Sequence, residues 1–577
     1  MHMEIRFVGP LAKVTGSCTW MRDLVEGWNF LVDCGMQQGE YDEDTWNAGT
    51  RWPFDPLELK FVVLTHAHID HSGLLPLLYR LGFDGEVWCS EETARIAEIL
   101  LRDAARLPGS RYDEADVDRI RWRTPGGKTQ LGGYHRLDQD LLMRFFRSGH
   151  IVGATSVTIL WGKPKSGGQK SIVFSGDVGP GAEDREVLPF LRYPQNPAPA
   201  TYAVLESTYG GVVRVAKGER NPEARRESLS RLLDRILETG GTLAIPAFSV
   251  GRTQDLMFDL HMVVANDPVR YRAIRFYMDS PTAMHVNAIT LDALNRTQTD
   301  ARTGKVRPVW LGKQLFRDLG LQCHEPEHVD LVLEVSRMTL SIDRAEGDLA
   351  AACGNTIATR WRSIFTPVGN REALVREVTK GPRVVVMSSG SGDGGPAASW
   401  LPLVVRDERN IVAMSGYCGK GTIGNALSAL ESVPLDQRRL QAGSLTWRSP
   451  DGGTGNSVPL SEVQAQVCHL EGYSAHADQS DLVDWMFENH KGILKQSIAP
   501  TIFLQHGDDE QRGSLARALA KRADEWKLEV DVLLPDDASQ WFDLDRGGAS
   551  LRVAEKRKEL EARIASLQNA LAKLKAA

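Results

Sequence analysis

The stretch Thr65-His66-Ala67-His68-Ile69-Asp70-His71-Ser72-Gly73 follows directly on the apolar run Phe61-Val62-Val63-Leu64. Three imidazoles and a carboxylate thus fall within six consecutive residues, at the end of what reads as a buried strand. A strand sends alternate side chains to opposite faces, so His66 and His68 project to the same side. The chain then turns, and Asp70 and His71 can face that space from the first turn of a helix suggested by Ser72-Gly73-Leu74-Leu75-Pro76-Leu77-Leu78-Tyr79. A polar loop with a capping aspartate is the bland alternative. Four ligand-type residues this close together favour a metal-binding segment instead.

The same device recurs along the chain: a short apolar strand ends in a ligand-type residue with glycine close behind. Phe30-Leu31-Val32 leads to Asp33 and Gly35, and Ser171-Ile172-Val173-Phe174-Ser175-Gly176 leads to Asp177 and Gly179. Tyr202-Ala203-Val204-Leu205 leads to Glu206, and Thr501-Ile502-Phe503-Leu504 to Gln505, His506 and Gly507. Runs apolar throughout fit strands buried on both faces of a layered α/β protein. Such folds put their sites where strands enter loops. His150 sits in Ser148-Gly149-His150-Ile151-Val152-Gly153, whose glycines let the backbone approach a metal. Asp177, with two oxygens, can bridge two cations, and Asp33 and His506 complete the set. Imidazole nitrogens give a zinc-like preference, while a shared carboxylate holds two cations about 3.5–4 Å apart. Such a pair acidifies a bridging water and polarises the phosphoryl or acyl oxygen under attack.

With 577 residues the chain exceeds one simple core, and two or three domains are expected. It is 42% hydrophobic and 25% charged, with no apolar run long enough to span a bilayer. Met1 to Val8 shows no basic segment followed by an apolar one, so a secretory signal is not expected. The seven cysteines are scattered and never spaced as CxxC, which fits reduced thiols in the cytoplasm. Cys323-His324 with His328 lacks a second ligand pair and reads as a surface loop. A net charge of −7 gives no nucleic-acid signal, so a polyanion would be drawn by local patches and metal ions.

From Gly210 to about Leu427 the texture changes. An amphipathic helix from Arg225 to Thr239 precedes the strand Thr242-Leu243-Ala244-Ile245. A loop to Gln254 then opens another helix, and further strands follow at Arg383–Met387 and Asn410–Met414. Strands alternating with helices suggest a second, parallel α/β domain. It would be inserted in the first, since metal-type residues resume only at His476 and His506. The expected division is 1–209 and 428–545 for the outer domain, 210–427 for the inserted one, and 546–577 for a tail. Residues 286–380 read as largely helical. In the tail, Leu560, Ile564, Leu567, Leu571 and Leu574 alternate spacings of four and three, a coiled-coil seam. It is expected to make a homodimer or to engage a coiled-coil partner; a helix folded back on its own domain is the alternative.

Further segments complete an ordered series: Leu205-Glu206-Ser207-Thr208-Tyr209-Gly210, Gly472-Tyr473-Ser474-Ala475-His476-Ala477-Asp478 and Leu504-Gln505-His506-Gly507-Asp508. Between them lie Pro246-Ala247-Phe248, Gly251-Arg252-Thr253-Gln254, Asp279-Ser280-Pro281, and Gly416-Tyr417 with Gly419-Lys420-Gly421-Thr422. With His66-x-His68-x-Asp70-His71, His150, Asp177 and Asp33, the series resembles the metallo-β-lactamase superfamily and its β-CASP nuclease family. It is most similar to the pre-mRNA 3′-end cleavage endonuclease subunit and its prokaryotic homologues, over nearly the whole chain to about residue 545. The opening motif alone is shared by lactamases, glyoxalases and lactonases; the ordered set is far more specific.

The resemblance implies an α/β fold: a metallo-β-lactamase αββα sandwich with an inserted α/β β-CASP domain and a C-terminal helical coiled-coil tail. It implies two Zn2+ per chain, one on His66, His68 and His150, the other on Asp70, His71 and His506, with Asp177 bridging. Asp33 would orient a ligand and the attacking hydroxide, and His476, held by Glu206, would protonate the leaving oxygen. His506 goes with RNA-processing members, whereas DNA-repair members carry valine there. The implied activity is a zinc-dependent ribonuclease on single-stranded RNA, cutting internally, with 5′ exonucleolytic action also open. A DNA-acting nuclease and a small-molecule metallohydrolase are the alternatives, and no membrane association is expected. Arg252, Ser388, Ser389, Lys420 and Thr422 are the expected phosphate contacts. Ser389-Gly390-Ser391 departs from the usual Ser-Gly-Met, and Cys418 stands where glutamine is frequent.

Overall fold

Strand Phe61–Val63 sends Phe61 and Val63 into one core and Val62 into another, and all three are buried. Strand Thr501–Gln505 behaves alike, with Phe503 facing one core and Ile502 and Leu504 the other. Apolar runs buried on both sides require layers above and below. The computed structural model has these layers. It describes residues 2–38, 46–107, 109–125, 131–162, 169–214, 221–299, 304–341, 357–376, 381–416, 418–448, 454–488 and 500–545.

Two seven-stranded sheets face each other. One contains Met3–Phe7, Thr19–Asp23, Asn29–Val32 and Phe61–Val63; the other contains Leu141–Arg147, Thr155–Trp161, Lys170–Phe174, Tyr202–Glu206 and Thr501–Gln505. Phe7, Phe30, Phe61, Phe145, Phe174 and Phe503 fill the space between them. Helices Leu75–Arg80 and Glu91–Ala105 cover the outside of the first sheet. Helices Gln479–Phe487 and Asp509–Trp526 cover the outside of the second. The result is the expected αββα sandwich.

C-terminal strands complete both sheets. Thr501–Gln505 runs parallel to Tyr202–Glu206 with Gln505 opposite Glu206, which delivers His506 to the strand ends. Phe542–Asp543 pairs antiparallel with Met3–Phe7. The polypeptide between these halves builds a third, six-stranded sheet, parallel throughout. Its strand Arg383–Met387 alternates Val384 and Val386 towards one core with Val385 and Met387 towards another. Helices Pro222–Thr239, Arg252–Asn266 and Pro326–Leu340 pack on the first face, and Gly395–Val404 and Ile423–Ser428 on the second.

The third sheet extends past residue 427, because its edge strand is Gln466–His469, paired with Ile411–Met414. Residues 286–380 hold helical segments, but Phe365–Pro367 forms the opposite edge strand and Thr297–Thr299 pairs with Val306–Pro308. The heptad stretch from Leu560 to Leu574, and the whole tail from 546, lie outside the described residues. Among the described residues no helix is long and apolar enough to cross a membrane, and the cysteines form no disulfide. Cys323 and His324 are exposed, as expected for a surface loop.

Candidate metal centre

Strand Phe61–Val63 ends at Thr65-His66, and the helix Ile69–Ser72 begins immediately after His68. Asp70 and His71 therefore fall on its first turn, facing the side chains just left at the strand end. The backbone is tight here: a Cβ on Gly35 would fall 1.6 Å from the Asp70 carbonyl oxygen, so glycine is required. Asp33 and His506 occupy left-handed backbone at φ 61° and φ 52°. Non-glycine residues in that region cluster at sites where the surroundings enforce them.

The side chains converge into two groups that share one carboxylate. In the first, His66 Nε2 lies 3.1 Å from His68 Nδ1, which lies 3.0 Å from His150 Nε2. Asp177 Oδ2 stands 3.5 Å from both His66 Nε2 and His150 Nε2. In the second, His71 Nε2 is 3.2 Å from His506 Nε2, and Asp70 Oδ2 is 3.3 Å from His506 Nε2. Asp177 Oδ1 is 3.3 Å from His71 Nε2. Four ligands at ordinary zinc–nitrogen and zinc–oxygen distances leave tetrahedral edges of about 3.3–3.4 Å, close to the spacings here. Asp177 Oδ1 is buried and accepts no hydrogen bond. An orphaned carboxylate oxygen among imidazole nitrogens fits a cation as partner.

The outward nitrogens are tied so that the inward ones keep lone pairs. His71 Nδ1 donates to Asp33 Oδ2 at 2.8 Å. The Thr65 hydroxyl donates to the same oxygen at 2.9 Å and, with its proton so engaged, accepts from His66 Nδ1 at 3.1 Å. His150 Nδ1 donates to the Ala475 carbonyl at 3.0 Å. Each bond fixes a tautomer that leaves Nε2 free to ligate. Burial pulls His66 and His150 well below the usual imidazole value and His68 down to about 4, so these rings are neutral at pH 7. Burial alone would raise the Asp177 carboxyl, but His506, His71 and His66 hold it well below the usual carboxylate range. Burial alone would lower His71 and His506 too, but Asp177, with Asp33 beside the first and Asp70 beside the second, raises both, so these two rings must shed a proton to ligate whereas His66, His68 and His150 are already neutral.

Asp33 touches no shared ligand position, yet it accepts from the Thr65 amide, the Thr65 hydroxyl and His71. Asp33→Asn is expected to weaken metal affinity by ~10–100-fold, because an amide has one acceptor for these donors. Competition with a chromophoric chelator measures it; unchanged affinity would remove Asp33 from that role.

Glu206 is buried at its strand end, accepting from the Val178 amide at 2.7 Å and the Thr208 amide at 3.2 Å. Its Oε1 also faces His476 Nδ1 at 3.4 Å. The His476 ring lies 4.4 Å from that of His150, against the first ligand group. Beside it opens a cleft of about 360 Å³ between the outer and inserted domains, lined by Tyr209, Arg214, Arg252, His469, Tyr473 and Ser474 among others. Arg252 thus reaches the cleft. Ser388 and Ser389 lie in a turn whose Gly390 packs on Phe248, and the Ser389 hydroxyl accepts from the Gly394 amide. Lys420 is exposed. Thr422 caps the helix Ile423–Ser428, its hydroxyl accepting from the Asn425 amide.

Four participants escape the sequence reading. Thr65 and Thr208, whose hydroxyl faces His506 Nδ1 at 3.1 Å, adjoin strand-end ligands, and that adjacency was a usable signal. Arg214 lies over the Tyr209 ring at 3.9 Å and donates to the His476 carbonyl. The Ala475 carbonyl left no trace, because a backbone acceptor has no residue type. His469 lines the cleft and links the Ser428 hydroxyl to Glu431 at 2.9 and 2.6 Å.

Comparison with known proteins agrees with this geometry. Residues 13–221 match the family model of the metallo-beta-lactamase superfamily, 253–427 that of the Beta-Casp domain, and 461–535 that of the Zn-dependent metallo-hydrolase RNA specificity domain. Ribonuclease TTHA0252 of Thermus thermophilus is 29% identical over 91% of this chain and 98% of its own length. Transcription termination factor FttA of Methanosarcina mazei is 24% identical over 87% of this chain, which spans 66% of that factor. The FttA protein of Methanothermobacter thermautotrophicus is likewise 24% identical, over 89% of this chain and 68% of its own length. With a β-CASP domain inserted between strands that bring His66, Asp177 and His506 together, the chain belongs to the metallo-β-lactamase superfamily as a metal-dependent hydrolase of its β-CASP family.

Proposed function

We propose that the protein is a zinc-dependent ribonuclease that hydrolyses phosphodiester bonds of single-stranded RNA with two cations, cutting internally. One observation carries it: the His476–Glu206 pair stands against two ligand groups joined by Asp177, beside a cleft between two domains. His66, His68 and His150 would hold one cation, Asp70, His71 and His506 the other, with Asp177 shared. When bound, such a pair supplies Lewis acidity and a water acidic enough to attack near neutral pH. Asp33 orients His71 and, through it, the ligand group beside which the attacking water would be held. His476, its Nδ1 turned to Glu206, delivers a proton from Nε2 to the leaving oxygen, and Glu206 keeps that tautomer.

The RNA specificity match spans both His476 and His506, and a relative bears the name ribonuclease; both support RNA over DNA. A cleft roofed by a whole domain suits a chain-like substrate better than a small molecule. Arg252 and Arg214 supply local positive charge on a chain of net charge −7. We assign phosphate contacts to Arg252, Ser388, Ser389, Lys420 and Thr422, the last requiring its hydroxyl to leave the helix cap it makes with the Asn425 amide. We place the inserted domain at 210–427 together with its edge strand Gln466–His469, and the outer domain at 1–209 and the rest of 428–545. The tail at 546–577 is assigned to self-association, and the protein to the cytoplasm.

End-labelled single-stranded RNA and DNA, each with and without chelator, test this. The expected result is internal RNA fragments that vanish with chelator and return with zinc, and little cutting of DNA. DNA cleavage at the rate of RNA, or cleavage indifferent to chelator, would overturn it.

A further inference from the structure

The loop that carries His476 is anchored by a buried ion-pair network in the inserted domain. Tyr473, three residues before His476, is 1% exposed and donates its hydroxyl to Asp259 Oδ2 at 2.9 Å. Asp259, on helix Arg252–Asn266, is fully buried. Its same oxygen accepts from Arg225 Nε at 3.0 Å, and its other oxygen from Arg226 Nε at 2.9 Å. Arg225 also donates to the Val187 carbonyl at 3.0 Å, and Arg226 pairs with Asp318 at 2.6 Å. One hydroxyl thus joins the loop to a hub fixed from three helices. On the other side of Tyr473, the loop offers the Ala475 carbonyl to His150 and His476 to Glu206.

A buried hub of this kind is costly to assemble and gives little stability over apolar packing, so its use lies in fixing geometry. We propose that the Tyr473 hydroxyl bound to Asp259 is the link through which the inserted domain sets the position of His476, making Tyr473 a positioning residue for proton delivery. Asp259, Arg225 and Arg226 hold its anchor in one place. The consequence is that the general acid is aligned by the domain that forms the cleft wall, not by the sandwich alone. This rests on the ribonuclease reading with His476 as acid.

Tyr473→Phe removes one oxygen and leaves the ring packed. The expected result is a kcat ~10–100-fold lower, as for a misplacement near 1 Å, with KM for RNA within about twofold of wild type. Metal per chain by elemental analysis should equal wild type. In a His476→Ala background the same change should cost less than about twofold, because the group it positions is gone. Unchanged kcat in Tyr473→Phe overturns the inference. So does an equal loss in both backgrounds, which marks a general structural role, and so does a loss of metal, which marks support of His150 instead. If wild-type protein cuts no RNA, the ribonuclease reading falls first, and the two failures are told apart by that control.

Discussion

Replacing His476 by alanine is expected to leave both cations bound and to remove most RNA cleavage, by ~10²–10⁴-fold. That factor corresponds to about 3–5 kcal/mol of transition-state free energy. The reason is its place: His476 faces Glu206 at the margin of the first ligand group, its ring 4.4 Å from that of His150, and it is the more exposed partner, at 21% against 1% for Glu206. Its removal takes away a proton donor without opening the ligand set, which is closed by His66, His68, His150 and Asp177. Elemental analysis should therefore give wild-type metal content. A second comparison isolates the role: a substrate whose leaving oxygen is replaced by sulfur needs no proton, so the variant should lose far less on it. Equal losses on the two substrates would assign His476 to binding or positioning and not to proton delivery.

Much of this centre was legible because buried strands and metal ligands leave different marks on a sequence. An apolar run such as Phe61-Val62-Val63-Leu64 must be covered on both faces, so the polar residue that follows it marks a strand end. Repetition at Asp33, His66, Asp177, Glu206 and His506 announced a shared edge, and the parallel register of Glu206 with Gln505 explains why residues 300 apart meet. The path of the inserted sheet was harder to see. Gln466–His469 is short, and its residues Val467, Cys468 and His469 alternate no more strongly than a loop would; only pairing with Ile411–Met414 identifies it. The hub around Asp259 was invisible for another reason. The pattern shows an amphipathic helix starting at Arg225 but not which of its charged residues are covered, and Arg225 is 3% exposed. Thr422 shows the limit from the other side, since a hydroxyl suited to phosphate is equally suited to capping a helix.

Asp177→Asn should have a larger effect than any other single change near the site. The side chain is 2% exposed and nearly isosteric with its replacement, so the shape of the site is kept. Its chemistry does change. Oδ2 faces His66 and His150, and Oδ1 faces His71 and His506, so one oxygen serves each ligand group. An amide keeps one acceptor and turns an N–H towards the other group, losing the shared negative charge as well. At least one cation should be lost, with metal affinity down by more than ~100-fold, beyond what removal of an outer partner costs. RNA cleavage should fall below that of His476→Ala. Thermal unfolding gives an independent readout, because bound metal stabilises the folded state by mass action. Zinc should raise the melting temperature of wild type over its chelated form, and that gain should shrink or vanish in Asp177→Asn. Of the chelated forms the variant should unfold lower, since the Asp177 carboxylate, held against burial well below the usual carboxylate range by His506, His71 and His66, stabilises the folded state at neutral pH. Full metal content with wild-type turnover in this variant would mean that no cation is shared through Asp177, and the two groups would then have to act separately.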